Sequence, residues 1–439
     1  MIRNSHILSS VIAASLCSLS NYAVTSVHAA DEKAIDVDFK IFGDVRTYGV
    51  SGERSWFDKW LGKSRYGEKR DRTSSTDLTL AELSLLAQAK IGWDWSAFIH
   101  ASYAPEYEQD LDLVEGFIAY KPAPKGLWSY EGRLGLMFPH ISRENDGVAW
   151  TTPYSITPSA INSWVGEEIR TMGLEGTIKR RFETFDLSFT ASLFGMNDTA
   201  GTLLHFRGWA LGDFKAGAFS NVPLPKIPAI YGISDSSGNE IEPPLFGMQA
   251  RYSNPILELD DNIGFYAALD WTDRQGLSFG AYYYDNKGDP TVVEEGQYGW
   301  RTRFVNLYAD YETETEWTFI SQYMLGTTVM GISPTHPDMF PADSKYQSAF
   351  ILASKAIDQW RFTSRFDWFK VTDRSYVLQD NNNEDGWSYT GAVSYTLSDN
   401  FTLIGEWLHI QNERPDRLRI NLPLKTKVNQ LQLSLRFQF

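Results

Sequence analysis

The sequence predicts an all-β chain that closes into a transmembrane antiparallel β-barrel of about 16 strands, or 18 if one long segment hides a further pair. Three observations carry this. Segments of about 10–13 residues with alternating apolar and polar positions recur along the chain, the length a tilted barrel strand needs. The connections between them alternate between tight turns and long loops. The chain stops on Gln430-Leu431-Gln432-Leu433-Ser434-Leu435-Arg436-Phe437-Gln438-Phe439, whose apolar residues recur with the period of a strand that has one apolar face.

Taken in order, the first element is a leader. Arg3 precedes a mostly apolar stretch, 7–19, and Val27-His28-Ala29 places small residues where a signal peptidase reads them. Residues 1–29 are expected to be a signal peptide and 30–439 the barrel. The apolar run is too short and too rich in Ser to span a bilayer as a helix. Cys17, the single cysteine, lies within the leader after Leu16, where a lipid attachment site would have a small residue. The mature chain would therefore have no disulfide or thiol chemistry.

Expected strands follow at 36–48, 80–91, 95–103, 112–120, 130–138, 169–178, 185–195 and 263–271. The others are 277–285, 300–311, 316–326, 346–356, 360–371, 387–397, 401–411 and 428–439. Tight turns are expected at 92–94, 312–314, 357–359 and 398–399, and long loops at 50–79, 139–168, 286–299, 327–345, 372–386 and 412–427. Short turns on one side and long loops on the other is the barrel pattern. Segment 196–262 is too long for an ordinary loop. It holds a strand-like piece, 246–252, and an apolar run, 203–211. It is expected to be an elaborated extracellular loop with local structure, or else the hidden strand pair.

One strand tests the barrel metrically. Trp360, Phe362, Phe366 and Trp368 share a face, and Trp360 to Trp368 spans roughly 26 Å along a strand. At a tilt of about 40° this is roughly 20 Å of depth, close to an apolar band with its aromatic girdles. Arg361, Thr363, Arg365 and Asp367 occupy the other face and belong in a water-filled lumen. Gln430, Gln432, Ser434, Arg436 and Gln438 are expected inward by the same phase, as are Asp186, Ser188, Thr190 and Ser192.

Composition agrees. The formal charge of -15, with no basic patch, excludes a nucleic-acid partner. Mean hydropathy is -0.32, yet alternate facing hides a barrel in such an average. The mature chain has no run of 18 apolar residues, which excludes helical spans. Trp 15, Tyr 22 and Phe 26, 14% of the chain, suit aromatic girdles.

A chain ending on such a strand with a terminal aromatic resembles bacterial outer-membrane barrel proteins. The third extracellular loop, after those at 50–79 and 104–111, leaves through Gly135-Leu136-Met137-Phe138-Pro139 and returns through Arg170-Thr171-Met172-Gly173. This arrangement is similar to Gram-negative outer-membrane porins of the phosphate-selective O/P-like and general trimeric families. The resemblance implies an inward-folded third loop, a homotrimer, and contact with outer-membrane lipid and lipopolysaccharide. It implies a water-filled channel for passive diffusion of small hydrophilic solutes and ions, without enzymatic activity, cofactor or metal. The alternative is a substrate-specific channel for a sugar, siderophore, or organic or phosphate anion, with Trp150, Tyr154 and Trp164 as a sliding surface. No inward run of Lys or Arg is dense enough for a phosphate-binding ladder.

In the porin reading Arg143, Glu144, Asp146, Glu167 and Glu168 supply charge on the constriction loop, with Arg133 ahead of it. Arg361, Arg365 and Arg436 supply charge on the wall. Opposed edges of this kind create a transverse field. The competing reading pairs the wall arginines with Asp367 or Glu406. A third functional class is an enzyme or adhesin. His100-Ala101-Ser102 resembles the His-x-Ser pair of outer-membrane phospholipase A, but His100 and Ser102 fall on the lumen phase and the Asn-Gly expected after Ser102 is missing. Residues 380–386 are acidic but lack the EF-hand Gly and distant Glu. The seven histidines have no metal-ligand spacing.

Overall fold

The computed structural model describes residues 35–69, 74–332, 339–377 and 379–439. The expected signal peptide and Cys17 lie outside the described residues. Sixteen antiparallel strands form one closed barrel. They are β1 (Ile35–Ser51), β2 (Ser74–Ile91), β3 (Trp95–Tyr103), β4 (Asp112–Tyr120), β5 (Trp128–Met137), β6 (Thr171–Arg181), β7 (Phe185–Gly195) and β8 (Gly264–Asp273). The rest are β9 (Leu277–Asp285), β10 (Arg301–Glu312), β11 (Trp317–Met330), β12 (Ala342–Ile357), β13 (Trp360–Asp373), β14 (Glu384–Ser398), β15 (Phe401–Glu413) and β16 (Lys425–Gln438). Each of the sixteen expected segments is one of these strands, and several run longer towards the loops. Among the described residues three short α-helices lie in the loops, α1 (Ala160–Glu168), α2 (Thr202–Phe206) and α3 (Pro228–Tyr231), beside three 3-10 turns and three two-stranded ribbons.

Closure is made by β1 against β16, in register from Phe42↔Gln438 to Ser51↔Asn429. The last residue takes part: the Phe439 amide donates to the Ile41 carbonyl at 3.0 Å, and the Ile41 amide donates to the Phe439 carbonyl at 2.9 Å. At the seam the Phe437 ring lies on Gly43, where an added Cβ would fall 2.2 Å from a ring carbon. A side chain at this position would force the Phe437 ring to move.

The inward and outward faces follow the alternation. On β13, Trp360, Phe362 and Phe366 are exposed on the outside, while Thr363, Arg365 and Asp367 are buried inside. On β16, Leu431 and Leu433 face out and Gln430, Gln432, Ser434 and Arg436 face in. Aliphatic and aromatic residues outside satisfy lipid; charge inside needs water or a partner.

Segment 196–262 is the elaborated loop with local structure that was expected, not the hidden strand pair, but it does not stay outside. It supplies no barrel strand, so the count is 16. Its first part turns into the lumen: Leu203, Leu204, Phe206, Trp209 and Leu211 are fully buried. The physical reason is the apolar run itself, which needs cover that an exterior loop lacks. The piece expected as a strand at 246–252 is largely irregular, and Phe246 packs on Phe206 with ring centroids 5.5 Å apart. The first loop also dips inward, burying Trp56 and Leu61 and placing the Lys63 carbonyl 2.7 Å from the Leu211 amide. The third loop carries α1, all of whose residues are buried. Three loops therefore share the lumen, and two apolar clusters hold them together.

Candidate pore constriction

The third loop is fixed across the barrel by charged wall residues that address its backbone. Arg365 donates to the Thr157 and Pro158 carbonyls at 2.7 and 2.9 Å, and lies 2.9 Å from Asp367 and 3.4 Å from Glu144. Glu406 accepts from the Ile156 and Thr157 amides at 2.7 and 2.9 Å. Asp367 accepts from the Ala160 amide at 3.1 Å, placing a carboxylate at the start of α1, where the free amides of a helix favour an anion. Arg436 donates to the Thr152 carbonyl at 2.8 Å and pairs with Asp44 at 3.1 Å. The loop thus crosses the lumen because its unpaired backbone groups find charged partners on β13, β15 and β16.

The expected constriction residues divide into two sets. Glu144, Glu167, Glu168 and Arg365 are fully buried and engaged. Glu144 accepts from the Ser159 amide at 2.6 Å and from the Asn162 side chain at 2.8 Å. Glu167 pairs at 2.6 Å with Arg207 of the fourth loop, the segment 196–262 between β7 and β8. Glu168 accepts from the Trp164 indole at 2.6 Å and the Leu203 amide at 2.7 Å, and burial pushes its carboxyl up to about 7. Arg133 pairs with Glu175 of β6 at 2.7 Å. Arg143 reaches Asp270 at 2.5 Å and lies over the Tyr308 ring at 4.1 Å. Asp146 is exposed, and Arg361 lies over the Tyr154 ring at 5.3 Å. Asp146 and Arg361 border two adjoining cavities of 330 and 310 Å³ on the short-turn side, which share Gly147 and Val148. Trp150 also borders the first, whereas Trp164 is fully buried.

The sequence did not single out Asp213 of the fourth loop or its partners Arg46 and Arg65. Asp213 pairs with Arg46 of β1 at 2.6 Å and with Arg65 of the first loop at 3.1 Å. Burial alone would raise the Asp213 carboxyl, but Arg46 and Arg65 outweigh it and hold the group well below the usual carboxylate range. Arg46 continues to Asp44 at 2.7 Å, and Asp44 to Arg436. The result is a ladder of alternating sign, Arg65–Asp213–Arg46–Asp44–Arg436, running down the seam of the barrel. Its members come from two strands and two loops far apart in sequence, so no local motif announces it. Lys215 pairs with Glu82 at 2.6 Å beside it. Between the loops is a 10 Å³ cavity bounded in part by Asn145, Trp150, Asp213 and Lys215, room for about one water.

His100 and Ser102 face the lumen, as their phase predicts. His100 Nε2 is 3.1 Å from Ser84 Oγ, which donates to Glu82 at 2.6 Å, and all three side chains are buried. Asp380, in the acidic stretch 380–386, lies 3.3 Å from His205 of α2 and is held there. Asp198, Glu258 and Asp260 bring carboxylates within 4.8 Å of one another. Burial and the two neighbouring acids push the Asp198 carboxyl up to about 7.

The comparisons agree with this architecture. Residues 245–439 match the family model described as "Putative beta-barrel porin-2, OmpL-like". No curated protein matches the chain. Among solved structures, the outer membrane channel DcaP of Acinetobacter baumannii is similar at 10% identity and a TM-score of 0.53, over 92% of this chain and 98% of that one. An anion-selective porin from Comamonas acidovorans aligns at 12% identity over 92% and 100% of the two chains, with a TM-score of 0.49. At such identities the likeness to DcaP is one of fold. With its 16-strand closure and its apolar outer face, the protein is an outer-membrane β-barrel whose C-terminal part is similar to that porin family.

Proposed function

We propose that the barrel is a narrow, water-filled channel for passive diffusion of small hydrophilic solutes and ions, constricted jointly by the third and fourth loops. The observation that carries this is the anchoring of the third loop across the lumen by Arg365, Glu406 and Arg436. Asp146, Arg361 and Arg143 are the charges of the constriction that meet passing solute. Arg133, Glu144, Glu167, Glu168, Arg365 and Arg436 hold the loops in position. The protein acts as a channel rather than an enzyme: Ser102 lies in the lumen, not on the lipid face where a phospholipase would need it. A homotrimer in lipid and lipopolysaccharide is the assembly this reading favours.

A substrate-specific channel is the second reading, favoured by how little open volume lies between the loops. Planar-bilayer recording tests both. Small conductance steps that scale with salt support passive diffusion. Saturation by one solute supports specificity. Absence of steps would reject a channel of either kind.

A further inference from the structure

The outer wall changes character near the long-loop ends of β10, β11 and β12. Arg303, Thr327 and Lys345 are direct partners across these strands, in the register Arg303↔Thr327↔Lys345. All three lie on the outward phase. The next outward residues towards the midplane on β10 and β11 are Val305 and Leu325, apolar and 39% and 36% exposed. The two cations therefore stand one step, roughly 7 Å along a strand, beyond the apolar band. Their Cα atoms are two strand spacings apart, roughly 10 Å. Arg303 is exposed and Lys345 half-buried. The Arg303 guanidinium donates to the Thr327 hydroxyl at 3.3 Å. Among the described residues neither cation has an ion-pair partner. The acids nearest in register and sequence are already taken: Asp285 by Lys287 at 2.9 Å and Arg301 at 3.7 Å, and Asp343 by Arg374 at 2.5 Å. Beside Lys345 on the same face, Tyr323 donates to Gln347 Oε1 at 3.0 Å, leaving the Gln347 amide nitrogen as a further donor. Elsewhere the wall is different. On β6 and β7, Met172, Leu174 and Leu193 face out near the same edge, exposed and apolar.

We infer that Arg303 and Lys345 form a binding site on the outer wall for a phosphate of lipopolysaccharide, held on its acylated sugar anchor. Two unpaired cations on either side of a hydroxyl offer charge-assisted donors to phosphate oxygens. The exposed apolar residues just below, Val305, Leu325 and Ile351, are the surface that acyl chains of the same molecule cover. Phosphate above and hydrocarbon below is the chemistry of an anchored lipid, not of a free anion. Charge on the lipid-facing wall costs little only near the interface, which is where these two residues stand. An acidic protein partner would find the cations but would have to clear lipid from the apolar residues beneath them. The inference rests on the outer-membrane placement proposed above and deepens it by assigning one lipid phosphate to one side of the barrel. It does not depend on what the lumen conducts.

The test measures binding of bisphosphorylated lipid A and of its dephosphorylated form to the full, detergent-folded chain, with inorganic phosphate as a competitor. The phosphorylated lipid should bind at least about tenfold more tightly, since two cations near a membrane surface each favour an anionic lipid. Millimolar inorganic phosphate should not displace it. Arg303→Gln combined with Lys345→Gln should weaken the phosphorylated lipid by about tenfold and leave the dephosphorylated one unchanged. Arg303→Lys should retain most of the affinity. Lys121→Glu, at the short-turn edge after β4, makes the same change of net charge and should have no effect. Gel mobility before and after heating reports whether each variant is folded; should the double variant fail, Lys345→Gln alone decides. Equal affinity for the two lipids overturns the inference, as does binding indifferent to the double variant. Displacement by inorganic phosphate overturns it in favour of a site for free anions, and an equal loss with Lys121→Glu in favour of net charge alone. Bilayer conductance measured alongside separates the two ideas. Phosphate-dependent lipid binding without conductance rejects the channel and keeps the site; conductance without phosphate-dependent binding does the reverse.

Discussion

Arg365 shows how one side chain can determine where a loop lies. Its guanidinium serves two carbonyls of the third loop while neutralised by Asp367 and Glu144, all out of solvent. Arg365→Met would leave two buried carboxylates without a counter-charge, a loss of about 3–5 kcal/mol for a broken buried pair. The temperature of the heat-induced gel mobility shift should fall, and Glu144→Gln in the same chain should restore part of it. Glu168 makes a pH-dependent contribution. Burial raises its carboxyl to about 7 from an ordinary value of 4.5. The native state therefore holds a proton that the unfolded chain releases, so this contribution is complete below about 4.5 and is lost as pH rises through about 7. Contact between α1 and α2 should loosen over that window, seen as increasing current noise, and Glu168→Gln should flatten the response. Selectivity belongs to the accessible charges. Asp146→Asn should shift the reversal potential towards anions and Arg361→Gln towards cations. Both shifts should shrink as salt rises and the Debye length falls from about 10 Å at 0.1 M to about 3 Å at 1 M. Unchanged potentials at low salt would place both residues outside the conducting path.

At the scale of elements, the fourth loop behaves as an internal plug. An apolar run inserts beside α1, and paired charges fasten its margins: Arg207 to Glu167, Asp213 to Arg46, and Lys215 to Glu82. Because these anchors are on loops and walls rather than in the strand ladder, the plug can be shortened without breaking the barrel. Replacing residues 202–231 with a short Gly-Ser linker should leave a strand-dominated circular dichroism spectrum intact and raise single-channel conductance, since a 16-strand barrel encloses an aqueous channel that the first and third loops would then narrow alone. Unchanged conductance would show that solute passes elsewhere. The same substitution should lower thermal stability, because Trp164 and Tyr346 lose their edge contacts with Trp209 at 5.9 and 6.0 Å.

For the whole molecule, closure is the decisive event. The β1–β16 seam uses the backbone of the final residue, so the carboxy end is part of the sheet. Deleting Phe439 removes two seam hydrogen bonds and the ring beside Phe401 and Phe437, at 5.6 and 6.0 Å. Unpaired backbone at the seam cannot be satisfied by lipid. The deletion should reduce outer-membrane yield more than it reduces the heat stability of barrels that do assemble. Equal yields of the deletion and the wild type would count against a role for the terminal residue in assembly.

The barrel was written locally. Period-two alternation, turn spacing and the terminal aromatic strand are properties of neighbouring residues, and they located all sixteen strands and the phase of Arg361, Arg365 and Arg436 without any long-range information. Loop ends were less legible, because strands extend past the membrane for as long as pairing continues. The fate of residues 196–262 was decided only in three dimensions. Local pattern shows that the run 203–211 must be buried but not against what, and it found its cover inside a lumen that exists only after closure. The ladder from Arg65 to Arg436 has the same origin. Arg46 and Asp44 lie at one end of the chain and Arg436 at the other, and they meet because β1 pairs with β16. Which charges face solute and which fasten loops depends on partners hundreds of residues away, and sequence spacing carries no record of those distances.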